Sequence, residues 1–405
     1  MALILLCSKR LATFWDTEKD QAMQHHNSVF HGLLKHVPWQ RFDSLVEDYG
    51  ADARVRRLST KSQLVALLYG QLSGATSLRE IVTGLSSHAL RLYHVGSGPV
   101  RRSTMSDANA LRPAAVFTDL LAMMMKQAHR GLRRKLAQTT YLIDATSMRL
   151  NERSAGWARF STGVCGAKVH VIYDADADRP IYTEVTAAKV NDVTMAQQMP
   201  IEPGATYVFD LGYYDYAWWA ELDAAGCRIV TRFKSNTPLD LIEELPVATG
   251  SNILSDRIGF LPARQARNRH NPMQDAVREV RVVTDSGTVL RILSNDLDAS
   301  AQEIADLYKR RWAIELFFRC IKQGLKIKKF LGTSQNAVRI QIAVALIAFL
   351  LLRLAQALQK AIPSSTVFAR LIRANLMHRR SIDALLEPPP ILENQRQMSL
   401  SLCQI

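Results

Sequence analysis

The stretch 308–322 has the sequence YKRRWAIELFFRCIK and carries four polar side chains at fixed spacings. Tyr308, Arg311, Glu315 and Lys322 are separated in turn by two, three and six residues. A helix turns about 100° per residue, so it would present all four within a sector of about 60°, here called the polar stripe. The stretch therefore predicts a helix that holds one carboxylate rigidly among cations able to bind phosphate.

The predicted helix has recognisable limits and a buried side. Ser300 and Glu303 form a capping-box pattern at its start, and Gly324 is a suitable stop. The apolar side chains that flank the polar stripe are Ile304, Leu307, Ile314, Phe318 and Ile321. Taken alone, the pattern also fits a surface helix with an ordinary Arg311–Glu315 ion pair. The rest of the chain decides between the two interpretations.

Composition limits the class of protein. The 405 residues are 48% hydrophobic and 22% charged, which is typical of a globular chain with two or three domains. A net charge of +14 favours a polyanionic partner, with nucleic acid before a membrane. The five cysteines form no C-x-x-C pair, which argues against a zinc knuckle and suits a reducing cytoplasm. The longest apolar run, 342–352, is too short to span a bilayer and predicts a buried helix.

The first third of the chain predicts helices. Residues 1–22 are an uncertain leader, and residues 23–135 place leucine and isoleucine at helical spacing. Arg101 and Arg102 precede three hydroxyl residues at a helix start, which suits contact with a phosphate backbone and equally a capped surface helix. The basic run 129–135 is a linker or a further DNA contact. We interpret 23–135 as a helical DNA-binding domain.

The pattern changes to strands at residue 140. Strand-like runs lie at 140–144, 168–173, 181–186, 205–210 and 228–233, with a helix beginning at 195 and another at 216–225. This order predicts an α/β fold with a mixed sheet flanked by helices. Residues 236–300 form a β-rich insertion with a hairpin that turns at 285–287. The predicted catalytic domain covers 136–355, and a C-terminal helix and disordered tail fill 356–405.

Three acids are candidates for one site. Asp144 and Asp210 each end a predicted strand, and neighbouring strand ends border the crevice where ligands bind in such sheets. Glu315 on the later helix would complete a three-carboxylate set. Hard cations such as Mg²⁺ prefer oxygen ligands, and two of them ~4 Å apart can activate a water against a phosphodiester. Asp144 or Asp210 alone would more commonly be a residue that caps a turn.

The polar stripe matches a known signature. Its spacing is Y-(2)-R-(3)-E-(6)-K, and the chain thereby resembles bacterial insertion-sequence DDE transposases of the insertion-sequence-four kind. The segment 142–146, LIDAT, resembles the one that carries that family's first aspartate, and 208–214, VFDLGYY, resembles the one that carries the second. The family usually has arginine where Leu211 stands, so one local contact differs while the acid is kept. The resemblance covers about 140–355 well and the helical part, notably 103–113, more loosely.

The resemblance implies a fold, an activity and partners. The fold is ribonuclease H-like, with the β-rich insertion between the second aspartate and the glutamate. The implied metal-binding catalytic residues are Asp144, Asp210 and Glu315, and the implied DNA contacts are Tyr308, Arg311 and Lys322. The cofactor is Mg²⁺, which Mn²⁺ can replace. The partners are terminal inverted repeats and target DNA, bound by a homodimer on paired ends in the bacterial cytoplasm at the nucleoid, with no membrane.

Several alternatives stay open at this point. The chain could be a catalytically silent or domesticated DNA-binding protein, or a generic ribonuclease H-like nuclease. Trp312 could stack on a base or belong to the core. Lys168 and His170 point to the same face of the second strand, where we expect His170 to pack with one hydrogen bond. Asp192 lies in a segment that resembles a family loop, and we assign it no role.

Overall fold

The computed structural model describes residues 28–53, 55–130, 139–266, 269–324, 330–359 and 361–386. The predictions for the leader 1–22, for most of the basic run 129–135 and for the tail from residue 387 lie outside these residues.

The N-terminal part of the chain is built from helices. Helices α1 to α6 span Val29–Leu34, Trp39–Asp48, Thr60–Ser73, Leu78–Ser87, Arg102–Leu111 and Ala115–Arg130. Ser59 and Ser77 cap the N-termini of α3 and α4, because their hydroxyls accept hydrogen bonds from the backbone N–H groups of Ser62 and Glu80. The helical prediction is confirmed over the described part of 23–135, while its role as a separate DNA-binding domain stays a prediction.

The later helices surround a sheet. Helices α7 to α14 span Ala155–Ala158, Asp192–Ala196, Tyr216–Ala224, Ala301–Lys309, Trp312–Arg319, Gln335–Ala357, Ser365–Asn375 and Ile382–Leu386. A π-helix, Cys320–Gly324, follows α11 directly. Strands β1 to β6 span Thr140–Leu150, Arg159–Ser161, Val164–Asp174, Arg179–Ala187, Thr206–Phe209 and Arg228–Arg232. Strands β7 to β12 span Asp240–Leu245, Ile253–Phe260, Arg264–Ala266, Arg269–His270, Val277–Val283 and Val289–Ser294.

The sheet is mixed and has ten strands. Its order is β2-β3-β1-β5-β6-β12-β11-β8-β7, with β4 paired to β3, while β9 and β10 form a separate two-stranded hairpin. The pairs β1–β5 and β5–β6 are parallel, and the other pairs in this sheet are antiparallel. The predicted α/β fold, a mixed sheet flanked by helices, is therefore confirmed.

The predicted β-rich insertion belongs to the same sheet. The expected hairpin is present as β11 and β12, and Gly287 takes a φ of 80° in its turn. Strand β12 pairs with β6 from Ile292 opposite Arg232 to Ser294 opposite Val230. The insertion therefore extends the central sheet directly.

Two predicted boundaries were wrong. Asp144 does not end its strand, because β1 continues to Leu150 along its long antiparallel partner β3. It lies instead just beyond the point where the parallel pairing of β1 with β5 stops, at Leu142. The helix expected to begin at Met195 is already ending there, since α8 spans Asp192–Ala196.

The single helix predicted around the polar stripe was also wrong, because it is divided. Ser300 caps α10 through Glu303 as expected, but α10 ends at Lys309 and α11 begins at Trp312. Between them Arg310 keeps right-handed helical dihedral angles, and its side chain donates hydrogen bonds to Thr140 Oγ1 at 2.7 Å and Asp176 Oδ1 at 2.5 Å. These contacts hold the break against the first residue of β1.

The two faces of the sheet pack into different cores. Alternate residues of a strand point to opposite faces. Leu142 and Val208 join the core formed with α12 and the N-terminal helices, whereas Ile143 and Phe209 join an aromatic core around α9. Helix α12 is long and apolar enough to cross a membrane by length and composition, but 83% of its apolar window is buried in the protein. The prediction of a buried helix is confirmed.

Candidate active site

The two aspartates are brought together by strand register. Leu142 of β1 lies opposite Val208 of β5, and the two strands are parallel. Asp144 and Asp210 each follow two residues later, and Asp210 keeps an extended backbone with φ −101° and ψ −171°. Because side chains alternate along extended chain, both acids point to the face on which Leu142 and Val208 are buried. Helix α11, which carries Glu315, contacts β1.

Arg311 joins two of the three predicted acids. Its Nη1 lies 3.6 Å from Asp144 Oδ2, and its Nη2 donates to Glu315 Oε1 at 2.5 Å. Arg311 and Asp144 are each 19% exposed, and Glu315 is 33% exposed. The Arg311–Glu315 ion pair exists, as the surface-helix interpretation required, but it is half-buried and linked to β1.

Burial and charge alter the acid–base chemistry of Asp144. Burial raises the pKa of its carboxyl to about 7, and the negative charges of Asp210 and Glu315 act in the same direction. The Ala145 N–H group, which donates to Asp144 Oδ1 at 2.7 Å, and Arg311 oppose this rise in pKa. Three carboxylates therefore interact electrostatically across one small region, and their charge is only partly neutralised.

The rest of the polar stripe reaches the same region. The Tyr308 ring lies 5.7 Å from the Arg311 guanidinium, and burial raises the pKa of the Tyr308 hydroxyl. Lys322 lies in the π-helix, where burial lowers the pKa of its ammonium group and the nearby Asp144 carboxylate opposes that change. The structure thus assembles all four stripe residues near Asp144, although the helix that was predicted to do so is broken.

The carboxylate oxygens of Asp144, Asp210 and Glu315 are ligands of the chemical type that binds divalent cations. Oxygen ligands are those that Mg²⁺ and Mn²⁺ prefer, and the raised pKa of Asp144 marks a carboxyl whose negative charge a cation would stabilise. Within the described ranges, no group of three or more histidine, cysteine, aspartate or glutamate side chains has a metal-binding arrangement. Arg311, in contact with Asp144 and Glu315, occupies the position between these two acids.

A fourth acid lies near the site, and the sequence analysis had given it no role. Asp192 lies beside Gly212, the second residue after Asp210. Lys168 and His170, on one face of β3, both approach its carboxylate. His170 is fully buried, and its Nε2 lies 2.9 Å from Thr186 Oγ1, so the expected packing with one hydrogen bond is confirmed. Two signals were available in the sequence, the shared face of Lys168 and His170 and the family-like loop that contains Asp192, but nothing local connected them.

Trp312 is a surface residue. Its side chain is 53% exposed, and the Arg319 guanidinium lies 5.8 Å from its ring centroid. The alternative that placed Trp312 in the core was therefore wrong.

Comparison with known proteins identifies the family. Residues 135–351 match the model of the transposase DDE domain, and residues 25–97 match a domain of unknown function, DUF4372. The chain belongs to the DDE transposase family. Membership identifies an enzyme of DNA transposition and implies a divalent metal requirement.

Two relatives in sequence agree with this assignment. "Putative transposase y4zB" of Sinorhizobium fredii is 39% identical to this transposase over 295 residues, which is 72% of this chain and 82% of the relative. "Probable transposase for insertion sequence element IS5377" of Geobacillus stearothermophilus is 29% identical over 261 residues, or 62% of this chain and 66% of the relative. A cryo-EM structure of the piggyBac transposase synaptic complex with hairpin DNA is 11% identical, with a TM-score of 0.49, and the match covers 92% of this chain and 84% of that one.

Proposed function

We propose that this transposase binds the terminal inverted repeats of an insertion sequence and carries out metal-dependent DNA cleavage and strand transfer. We assign it to the insertion-sequence-four kind, with a ribonuclease H-like fold and the Y-R-E-K signature in the polar stripe. The observation that carries the proposal is the junction at Arg311, where acids from β1 and α11 meet one guanidinium while the charge of Asp210 reaches Asp144.

The three acids would hold the metal. Asp144, Asp210 and Glu315 offer carboxylate oxygens to Mg²⁺, and Mn²⁺ could replace it. When bound, the ions would supply an activated water and charge stabilisation for the leaving oxygen of a phosphodiester. In the structure described here, Arg311 neutralises part of the acid cluster. Metal loading would therefore require Arg311 to give up its contact with Glu315.

The cationic side chains would position DNA. A guanidinium released from Glu315 can donate two parallel hydrogen bonds to a phosphate, which an ammonium group cannot do. Lys322 would add a second positive charge beside Asp144, and the buried Tyr308 would support the Arg311 side chain from below. In this proposal the acids bind the metal, and Arg311 and Lys322 bind the DNA strand that is to be cut.

The proposed partners follow from charge and from the family. A net charge of +14 suits DNA, and Arg101 and Arg102 are exposed at the start of α5, where a phosphate could approach. We propose a homodimer on paired ends that acts in the cytoplasm at the nucleoid. Target DNA would accept the 3′-hydroxyl made by the first cut.

A cleavage assay tests the assignment. Terminal-repeat DNA with Mg²⁺ should be cut by the wild type, whereas Glu315→Gln, Asp144→Asn and Asp210→Asn should each lose more than the about 10–100-fold typical of indirect metal-site changes. Glu244→Gln, at the exposed outer strand β7, is the matched control and should cut normally. Normal cutting by all three acid variants would show that the acids are misassigned. Cleavage of RNA–DNA hybrids without strand transfer would instead indicate a generic nuclease.

One observation favours a second candidate. A silent end-binding protein would keep the close Arg311–Glu315 contact permanently, with the guanidinium in place of a metal ion. Such a protein would bind terminal repeats without cutting in either Mg²⁺ or Mn²⁺. Cleavage in either metal would exclude it.

A further inference from the structure

A partly buried polar cluster lies on the opposite face of the sheet from the proposed catalytic acids. It consists of Lys168, His170 and Asp192, here called the Asp192 cluster. His170 on β3 is opposite Ala145 on β1, and residues directly opposite in an antiparallel pair share a face. Ala145 follows Asp144, so the two side chains point to opposite faces of β1. The cluster therefore lies on the face of the sheet opposite to the one to which Asp144 points.

Two residues converge on one oxygen of Asp192. Lys168 Nζ lies 2.9 Å from Asp192 Oδ1 and also donates to the Val190 carbonyl at 3.0 Å. His170 Nδ1 lies 3.6 Å from the same Oδ1. Lys168 is only 15% exposed, and burial lowers the pKa of His170 to about 4, so the cluster pairs one cation with one anion at neutral pH. Asp192 is 26% exposed, so the ion pair is partly buried.

The other oxygen of Asp192 reaches the turn after Asp210. A Cβ atom added to Gly212 would lie 3.3 Å from Asp192 Oδ2 and 3.0 Å from Asp210 Oδ1. The Gly212 N–H group itself donates to Asp210 Oδ1 at 2.8 Å. Gly212 is thus enclosed between the two carboxylates, and only a residue without a side chain fits there without displacing one of them.

The next residue in the turn, Tyr213, packs into the aromatic core on the same face of the sheet as the Asp192 cluster. Tyr213 is buried, and its hydroxyl has no hydrogen-bond partner among the residues that the structure describes. Burial raises the pKa of that hydroxyl, and the charges of Asp192, Asp144 and Asp210 add to the effect. The hydroxyl therefore lies within electrostatic reach of all three carboxylates.

We propose that Asp192 is a positioning residue for Asp210. Lys168 and His170 fix the Asp192 carboxylate, which packs against Gly212 and so fixes the direction in which Asp210 presents its oxygens. This proposal rests on the proposed function of Asp210 as a metal ligand, and it gives the Asp192 cluster a role that a purely structural ion pair would lack.

The test measures Mn²⁺ binding to the full chain without DNA, by electron paramagnetic resonance titration. Asp192→Asn should weaken Mn²⁺ binding by about 10–100-fold, as is common for residues that orient metal ligands. Lys168→Met should weaken it in the same direction, whereas Lys168→Arg keeps the cation and should retain most of the affinity. Asp192→Asn combined with Lys168→Met should be no worse than Asp192→Asn alone, since both act through one contact. Glu244→Gln is the control for charge removal elsewhere in the sheet.

The outcomes separate the two proposals. Wild-type Mn²⁺ affinity in Asp192→Asn and Lys168→Met, with affinity lost in Asp210→Asn, would overturn the positioning role alone. Wild-type affinity in Asp210→Asn as well would overturn the metal site. If Asp192→Asn does not fold, the two Lys168 variants decide: weak binding by Lys168→Met with near-normal binding by Lys168→Arg supports the role, and equal binding by both overturns it.

Discussion

At the scale of single residues, the main feature of the site is that the buried Asp144 carboxyl has few groups that favour its charged form. One guanidinium and one backbone N–H group oppose the effects of burial and of two neighbouring acids on its pKa, which rises to about 7. Arg311 thereby acts as an internal counterion for Asp144 and Glu315. Its second contact, to Glu315, makes it the residue whose movement would open the site.

The raised pKa of Asp144 predicts a pH dependence of stability. The folded chain holds a proton on this carboxyl up to about pH 7, whereas the unfolded chain releases it near pH 4. The folded state thus binds more protons in this window, so this group's stabilising contribution is present below about pH 4 and falls as the pH rises to about 7. Asp144→Asn should flatten that fall and be more stable than wild type by roughly 1–3 kcal/mol at pH 8. Urea unfolding at pH 5 and pH 8 measures it, and an unchanged pH dependence would contradict the prediction.

Exposed Trp312 makes a second prediction at this scale. Because about half of its side chain is in solvent, Trp312→Ala should change the free energy of unfolding by less than about 0.5 kcal/mol. If the ring stacks on a base of the transposon end, the same change should weaken end binding by about 1–3 kcal/mol. Fluorescence anisotropy with labelled ends gives the affinity, and Leu316→Ala, at an exposed neighbour on α11, is the control. Equal effects of the two changes would exclude stacking.

At the scale of elements, sequence patterns predicted most of the sheet and helices but not where α10 ends. The caps at Ser300 and Ser77 and the hairpin β11–β12 depend on neighbouring residues, and their local chemistry was sufficient to predict them. The break after Lys309 depends on Arg310 finding Thr140, which is 170 residues away in the chain. The extension of β1 past Asp144 likewise depends on pairing with β3, and the approach of Asp192 to Gly212 depends on contact between the start of α8 and the turn after β5. Such long-range contacts leave no local pattern.

The α10–α11 break makes a prediction of its own. Arg310→Ala removes two hydrogen bonds that hold the break against β1 and its neighbouring turn, so stability should fall by about 1–3 kcal/mol. Cleavage should fall further than stability explains, because α11, which carries Glu315, begins at Trp312 just after this anchor. Lys309→Ala, an exposed neighbour, should leave both unchanged. Thermal unfolding and single-turnover cleavage of terminal repeats measure the two effects, and unchanged cleavage in Arg310→Ala would contradict the prediction.

At the scale of the whole molecule, the chain combines an excess of positive charge with a sheet that lies between two cores. The net charge of +14 belongs to the chain as a whole and favours DNA as its partner. End binding should therefore weaken steeply with salt. Replacing both Arg101 and Arg102 with alanine should reduce the slope of log affinity against log salt by about 1–2, because each DNA phosphate that a side chain neutralises contributes about one unit to that slope.

Lysine at both positions is the control for this experiment. It keeps the charge and should keep the slope, whereas a slope unchanged by alanine would show that the start of α5 does not contact DNA.

The pairing of β12 with β6 has a mechanical consequence. Strands β5, β6 and β12 are consecutive in the sheet, so the hairpin β11–β12 begins only two strand spacings, about 10 Å, from β5, the strand that Asp210 follows. Backbone hydrogen bonds cross each of those spacings, so the three strands are joined directly side by side. A duplex that pulled on the hairpin β11–β12 would therefore displace the edge of the sheet beside Asp210 at the same time, because the strands between them form one continuous hydrogen-bonded unit.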